Sequence, residues 1–404
     1  MHFVRPSRTV AFWSVATLLV LVLTASGVPS PLYRVYQEQF GFGSGVLTTI
    51  FAVYSLALLA ALLVVGGLSD HVGRRPVLAG ALLLQAAAMV LFLLADGVGS
   101  LLAARVVQGL ATGAMTGALG ATLLDFQRTG RPLGAVINSI SPNLGLAVGA
   151  LSAGLLVQFV AAPSAWVFGV LTAFFVLGAG GVLLLPESSP RQPGALASLR
   201  PQVHVPAAQR RGFLVVLPVL AATWALGALY ASLGPSLAAG VFGLQDHLVG
   251  GLLIFALNTA GVVAVLTMRT VPAERSMIIG ALVFAAGAAG MVLALATVST
   301  ALFFASAVVS GFGFGTAFLG SLAIATRGVA PGDRAGLLSS VFVVAYLAFS
   351  LPAIGAGITV GHLGLARTAE IYGAAVVVLS LLAVAGLVVN RRAAAYVRRR
   401  AVTV

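Results

Sequence analysis

Read by polarity alone, the chain alternates long apolar runs with short polar joints. Mostly apolar runs fall near 10–32, 44–66, 76–95, 99–124, 135–160 and 164–186. They resume near 212–235, 247–268, 276–297, 300–325, 335–360 and 369–389. A helix needs roughly 20 apolar residues to cross about 30 Å of hydrocarbon, so each run can span a bilayer. In lipid every backbone N–H and C=O must find its partner within the chain, which makes these runs helices. The pattern predicts an all-α integral membrane protein with twelve transmembrane helices.

The longest polar interval, 187–211, carries Pro190, Arg191, Gln192 and Pro193, then Arg200, Pro201 and Gln202. This is linker composition. It divides the chain into a six-span unit (1–186), a linker (187–211) and a second six-span unit with a basic tail (212–404). A shift of 202 lays Val106-Val107-Gln108-Gly109 over Val308-Val309-Ser310-Gly311, Gly113 over Gly315, and Arg131-Pro132 over Asp333-Arg334. Such matches, with the six-plus-six hydropathy, point to duplication of a six-helix unit, an arrangement in which two halves rock about a central site.

Composition narrows the chemistry. The chain is 60% apolar and only 8% charged, so lipid is the solvent for most of it. It has no cysteine, which excludes disulfides and thiolate ligands, and no lysine, which excludes the phosphate loop of ATPases. The first run is long, lacks a small-residue cleavage site and is followed by similar runs, so it reads as a span and not as a signal peptide. Nineteen of the 22 arginines, among them Arg5, Arg8, Arg128, Arg131, Arg191, Arg269, Arg275, Arg327 and those of the tail, fall on one side of the span map. Only Arg34 and Arg367 fall on the other, and Arg105 lies within span four. This asymmetry predicts a cell-membrane protein with both termini cytoplasmic. The net charge of +13 is then an orientation signal that also attracts anionic membrane lipids. Arginines scattered over seven loops and tails do not form a nucleic-acid surface. Histidines 2, 71, 204, 247 and 362 are scattered too, so no metal site or catalytic cluster is expected.

The joint between spans two and three reads Gly66-Gly67-Leu68-Ser69-Asp70-His71-Val72-Gly73-Arg74-Arg75-Pro76. An acid and two arginines in so tight a glycine-rich loop imply fixed partners, such as a helix N-terminus or an arginine on a neighbouring helix. The spacing Gly-x-Leu-x-Asp-x-x-Gly-Arg-Arg resembles the loop-two signature of the major facilitator superfamily of secondary transporters. His71 departs from it, standing where those proteins usually carry an arginine. The resemblance implies the major facilitator fold, two pseudo-symmetric six-helix bundles, with no cofactor and a monomeric chain. It also implies a latch in which Arg74 pairs with Asp125 at the end of span four. Asp70 would face the start of span eleven near Arg334, and Gly66, Gly73 and Arg75 complete the knot. The counterpart loop of the second half, Met268 to Arg275, has nearly lost the signature.

In span four, Arg105, Gln108, Thr112 and Thr116 recur at i, i+3, i+7 and i+11, placing polar groups on one helical face. Gly109, Gly113 and Gly117 form an adjacent stripe suited to close helix approach. An intramembrane arginine must face protein or water, and Arg105 serves either as a functional charge or as a structural, snorkelling one. Arg105-x-x-Gln108-Gly109 resembles the superfamily's span-four motif, whose arginine is tied to proton coupling. Span five carries Gly145, Gly149 and Gly154, but Ala150 stands where exporters of the superfamily have proline, and Pro142 lies earlier. None of the nine acids falls mid-span; Glu38, beside Arg34, is the nearest coupling candidate. Pro186-Glu187-Ser188 reads as a helix stop without chemistry of its own.

Polar and aromatic residues stranded in spans are the candidate solute contacts: Tyr54, Asn143, Trp224, Tyr230, Asn258, Phe312, Phe314 and Tyr346, together with the Gln108–Thr112–Thr116 face. A pocket of such groups suits apolar or amphipathic solutes. The resemblance implies a secondary active transporter, not an enzyme, exporting small, mainly apolar molecules by alternating access with protons as coupling ion. The missing glycine–proline pair and the missing mid-span acid leave open a sugar or metabolite importer or uniporter of the same fold.

Overall fold

The structure, a computed structural model, describes the backbone of residues 6–128 and 133–402, and their side chains apart from 331 and 390–402. Arg5 and the Arg131–Pro132 match lie outside the described residues, as do the side chains of the tail arginines. Twelve helices among the described residues are long and apolar enough to cross a membrane. They are α1 Arg8–Phe40, α2 Ser44–Val65, α3 Arg74–Leu93, α4 Val98–Phe126, α5 Leu133–Phe159 and α6 Pro163–Leu184. The second six are α7 Ala207–Ser232, α8 His247–Met268, α9 Ala273–Thr297, α10 Thr300–Ala325, α11 Arg334–Leu363 and α12 Leu365–Val389. Every run predicted from polarity is a helix, in order.

Two edges differ most: the last helix continues past residue 389 to Val402, and α1 continues past residue 32 to Phe40 as two segments, Arg8–Gly27 and Pro29–Phe40. Polar residues of the second segment hid the extension from a reading of hydropathy.

Glycines set the packing. A Cβ on Gly109 would meet the carbonyl of Tyr54 and Ala57, and one on Gly113 the carbonyl of Leu58 and Ala61, so α4 lies backbone-to-backbone on α2. The second half repeats the arrangement: Gly311 abuts the carbonyl of Leu257, and Gly315 abuts Gly261 and Ala264, so α10 lies on α8 in the same manner. Gly145 and Gly149 of α5 press on Leu23 and Thr24 of α1. These contacts exclude lipid and leave dispersion and weak polar contacts to hold the helices.

The halves meet along two helix pairs, α2 with α11 and α5 with α8. Their described contacts run from mid-depth to the ends of the helices away from Arg74, Arg327 and Arg334. Gly45 and Thr48 touch Gly357, Ser55 Oγ lies 2.5 Å from Ser350 Oγ, and Ala150 and Gly154 abut Gly251. Above them Arg34 donates from Nη1 to the Gln245 carbonyl (2.9 Å) and from Nη2 to Gln245 Oε1 (2.7 Å). The structure is therefore closed at the face opposite the arginine-rich one.

Candidate functional site

Four arrangements stand out, and the first is the knot between α2 and α3. Gly73 has φ +113°, and a Cβ there would sit 2.7 Å from Glu187 Oε2, so conformation and space both demand glycine. The space is used by Glu187, whose Oε1 accepts from Arg74 N–H (2.8 Å) and whose Oε2 accepts from Arg75 N–H (3.2 Å). A carboxylate thus caps the positive end of α3. Glu187 carries chemistry that the sequence reading withheld from it. Arg74 pairs with Asp70 at 2.6 Å and with Asp125 at 3.6 Å, while Ser188 donates to Asp125 at 2.8 Å. His71 Nδ1 lies 3.0 Å from the Pro193 carbonyl and 3.2 Å from that of Gln192, a contact with the linker. Gly66 ends α2, its N–H donating to the Leu62 carbonyl.

The expected approach of Asp70 to α11 near Arg334 is not made in this structure. Asp70 is turned to Arg74 on its own half, and Arg334 is exposed. The halves meet on the opposite face, so charges on this face are satisfied within their own half. The first turn of α11 receives the linker instead, with His204 N–H donating to the Gly336 carbonyl at 3.2 Å. Removing the cap is expected to show directly: Glu187→Ala should lose about 1–2 kcal/mol, as for other charged N-terminal caps. The purified protein should melt several degrees lower, and an unchanged melting temperature would refute the cap.

The second arrangement surrounds Arg105, which is 0% exposed. In a regular helix the N–H of residue 29 would bond to the carbonyl of Ala25, but residue 29 is proline and has none. Gln108 Nε2 donates to that carbonyl (2.8 Å), Gln108 Oε1 accepts from Arg105 Nη1 (2.8 Å), and Arg105 Nε donates to Tyr33 Oη (2.5 Å). Arginine and glutamine of α4 thereby staple the break in α1. The guanidinium sits among Tyr33, Phe51, Tyr54 and Phe92, 4.9–5.7 Å from each ring centroid. Such cation–π contacts replace part of its lost hydration. Nη2 has no hydrogen-bond partner among the described residues. Full burial excludes snorkelling. Thr112 is buried beside this group, and Thr116 spends its hydroxyl on the Thr112 carbonyl (2.6 Å).

Glu38 does not join Arg105. Its side chain is 61% exposed and 3.8 Å from Arg34 Nε, because the second segment of α1 carries it beyond the bundle.

The third arrangement is an aromatic cluster in the second half. Trp224 of α7 lies 4.9 Å from Tyr346, 6.0 Å from Phe318, 6.4 Å from Phe349 and 6.5 Å from Phe314, centroid to centroid. Phe318 and Phe349 were not singled out by sequence, although their spacing from Phe314 and Tyr346 keeps each on its neighbour's helical face. Tyr346 precedes Ser350 by one turn, so the cluster reaches the contact with Ser55; Tyr54 stands next to Ser55 on the first half. Asn143 packs on Gly261 where α5 meets α8, and Asn258 returns its amide to the Ile254 carbonyl (2.8 Å). Tyr230 is not with them: it is buried against Phe303, its Oη 3.3 Å from Ser306 Oγ, inside the second half's core. Phe312 also departs, lining an outward-facing apolar groove of about 520 Å³ between α8 and α10.

The fourth is the closed face itself, with the Arg34–Gln245 clasp. It was missed because Gln245 lies in a loop with no pattern around it.

Twelve apolar helices in two halves that touch at one end define a multi-pass membrane protein of the two-bundle transporter class. The chain belongs to the Major Facilitator Superfamily, whose family model matches residues 15–353. It is similar to the MFS-type transporter paaT of Penicillium rubens, 29% identical over 149 residues that make up 33% of this chain and 27% of that one. The chain therefore spans about a quarter of the length of that curated relative. Among solved structures it is similar in fold to the human organic anion transporter MFSD10. The TM-score is 0.66 at 17% identity, covering 94% of this chain and 100% of that one. A bacterial homologue of the human lysosomal transporter Spinster, in an inward-facing, occupied conformation, gives a TM-score of 0.73 at 14% identity, covering 96% and 98%. Family and fold point to a transporter rather than an enzyme.

Proposed function

We propose that this protein is a monomeric secondary transporter of the cell membrane, both termini cytoplasmic, that moves small amphipathic solutes by alternating access. The single observation that carries this reading is the pairing of two unlike surfaces at mid-depth. Polar Tyr54 of the first half lies beside the Ser55–Ser350 contact, and the Trp224–Tyr346 cluster of the second lies one turn beyond it. A solute held there would touch both halves, which is the condition for its binding to bias their rocking. Trp224, Tyr346, Phe314, Asn143 and Asn258 supply the contacts. Asp70, Arg74 and Asp125 form the charged knot that regroups when the arginine-rich face closes.

Export coupled to protons is the direction and drive implied by the resemblance to drug-efflux members, with Arg105 as the coupling charge. A second reading is favoured by one observation: all nine acids lie at helix ends or in loops, leaving no carboxylate to take up a proton within the spans. That reading is a uniporter. Solute flux in proteoliposomes with an imposed pH gradient separates the two, since a proton-coupled exporter should respond severalfold and a uniporter should ignore the gradient. A pump-deficient host expressing the wild type should survive a panel of apolar toxicants better than one expressing Asp70→Asn. Equal survival would remove the knot from the mechanism, and sensitivity of both would count against export of those compounds.

A further inference from the structure

The charges buried in the spans are out of balance. Arg105 is fully enclosed, a guanidinium keeps its proton in proteins, and no carboxylate pairs with it: the described partners are Tyr33 Oη, Gln108 Oε1 and four aromatic rings. Glu38 is exposed and held by Arg34, Asp70 and Asp125 by Arg74, and Glu370 by Arg367. Glu187 caps α3, and Asp96, Asp246, Glu274 and Asp333 lie in loops or at helix ends. Tyr54, next in sequence to Ser55 at the meeting of the halves, has its ring 4.9 Å from the guanidinium carbon. Its hydroxyl is turned away to Ser26 Oγ at 2.8 Å, so it screens the charge without neutralising it. A positive charge at low dielectric acts over longer distances than one in water.

We propose that the solute pocket is selective by charge: it takes amphipathic anions, an aromatic or apolar body bearing a carboxylate or sulfonate, and disfavours organic cations. This rests on the reading of the pocket given above and adds the sign of its ligand. The apolar body goes to the Trp224–Tyr346–Phe314 cluster and the anionic group to the side of Tyr54, toward Arg105. Neutral solutes of the same shape bind with intermediate affinity.

The test uses three probes of nearly one shape, 4-nitrobenzoate, 4-nitrobenzyl alcohol and 4-nitrobenzylammonium, with the full chain in zwitterionic nanodiscs. Trp13 and Trp166 are exposed and belong to none of the arrangements described above, so Trp13→Phe with Trp166→Phe leaves Trp224 as the reporter that a bound nitroaromatic quenches. The anion should bind at least tenfold more tightly than the cation, with the alcohol between them. The preference should persist in 1 M salt, where the Debye length is about 3 Å and surface arginines are screened. Arg105→Gln, where it folds, should bring the anion to the affinity of the alcohol. Equal or tighter cation binding, or a preference abolished by salt, overturns the charge inference while leaving the pocket. Absence of saturable quenching by all three overturns the pocket and the inference together.

Discussion

The double variant Gly251→Val with Gly357→Val is expected to drive the protein out of the state described here without unfolding it. At Gly251 a Cβ would stand 2.5 Å from the Ala150 carbonyl oxygen and 3.3 Å from Gly154 Cα. At Gly357 it would collide with Thr48 Oγ1 and stand 3.0 Å from Gly45 Cα. Both neighbours are on the opposite half, so the clash is relieved by separating two bundles, not by disrupting either. Overpacking costs about 1–3 kcal/mol per site, and about 5.5 kcal/mol inverts a two-state population completely. Two wedges therefore suffice to empty most of the state closed at this face. The absence of native cysteine allows Ser55→Cys, buried at the same contact, to report on it. Maleimide should label it roughly tenfold faster or more in the wedged background, the factor supplied by about 1.4 kcal/mol. Solute flux should fall in parallel. An unchanged labelling rate in a well-folded double variant would mean that these glycines do not hold the face shut.

Arg105→Ala should have the largest effect on stability. It removes the donor to Tyr33 and leaves Gln108 Oε1 without its partner, and it empties a space walled by four aromatic rings. Truncating a large buried side chain with its polar partners left behind costs about 3–5 kcal/mol. The expected outcome is a sharp loss of folded material by size exclusion and a strongly lowered melting temperature. Gln108→Ala should be milder, about 1–3 kcal/mol, because one buried carbonyl, that of Ala25, loses its donor. Arg105→Lys keeps the charge but cannot donate along both branches of the fork, so it should recover only part of the stability. Full stability of Arg105→Ala would show that the staple is dispensable.

The helices were legible because lipid imposes one rule on every span, and the apolar runs record it directly. Packing was partly legible: the glycine stripe of α4 identified a close helix contact, though not that α2 was its neighbour. The candidate site was legible where periodicity marks a face, as for Arg105 with Gln108, and where a signature fixes a loop, as for Arg74 with Asp125, but Asp70 turns to Arg74 and not to α11 as expected. What stayed hidden involved partners distant in sequence. Nothing near Glu187 announces that it caps α3, and only the missing proline N–H, traced to Ala25, explains why Gln108 is needed. Tyr230 and Phe312 were misplaced because the identity of a residue in a span does not say whether its face turns to the core, the pocket or the lipid. Glu38 failed for a related reason, since hydropathy could not follow α1 through its break.

That break has a mechanical consequence. Because the turn between Ala25 and Pro29 never had its main-chain bond, tilting the outer segment of α1 there sacrifices none. Arg34 lies five residues along from Pro29, about 8 Å at a helix's rise, so a tilt of roughly 20° displaces that part of the rod by ~3 Å. This is as long as the hydrogen bonds joining Arg34 to Gln245. A modest swing at one proline is thus enough to unfasten the far gate, and the side-chain bond it strains is the one from Arg105 to Tyr33 on the swinging segment.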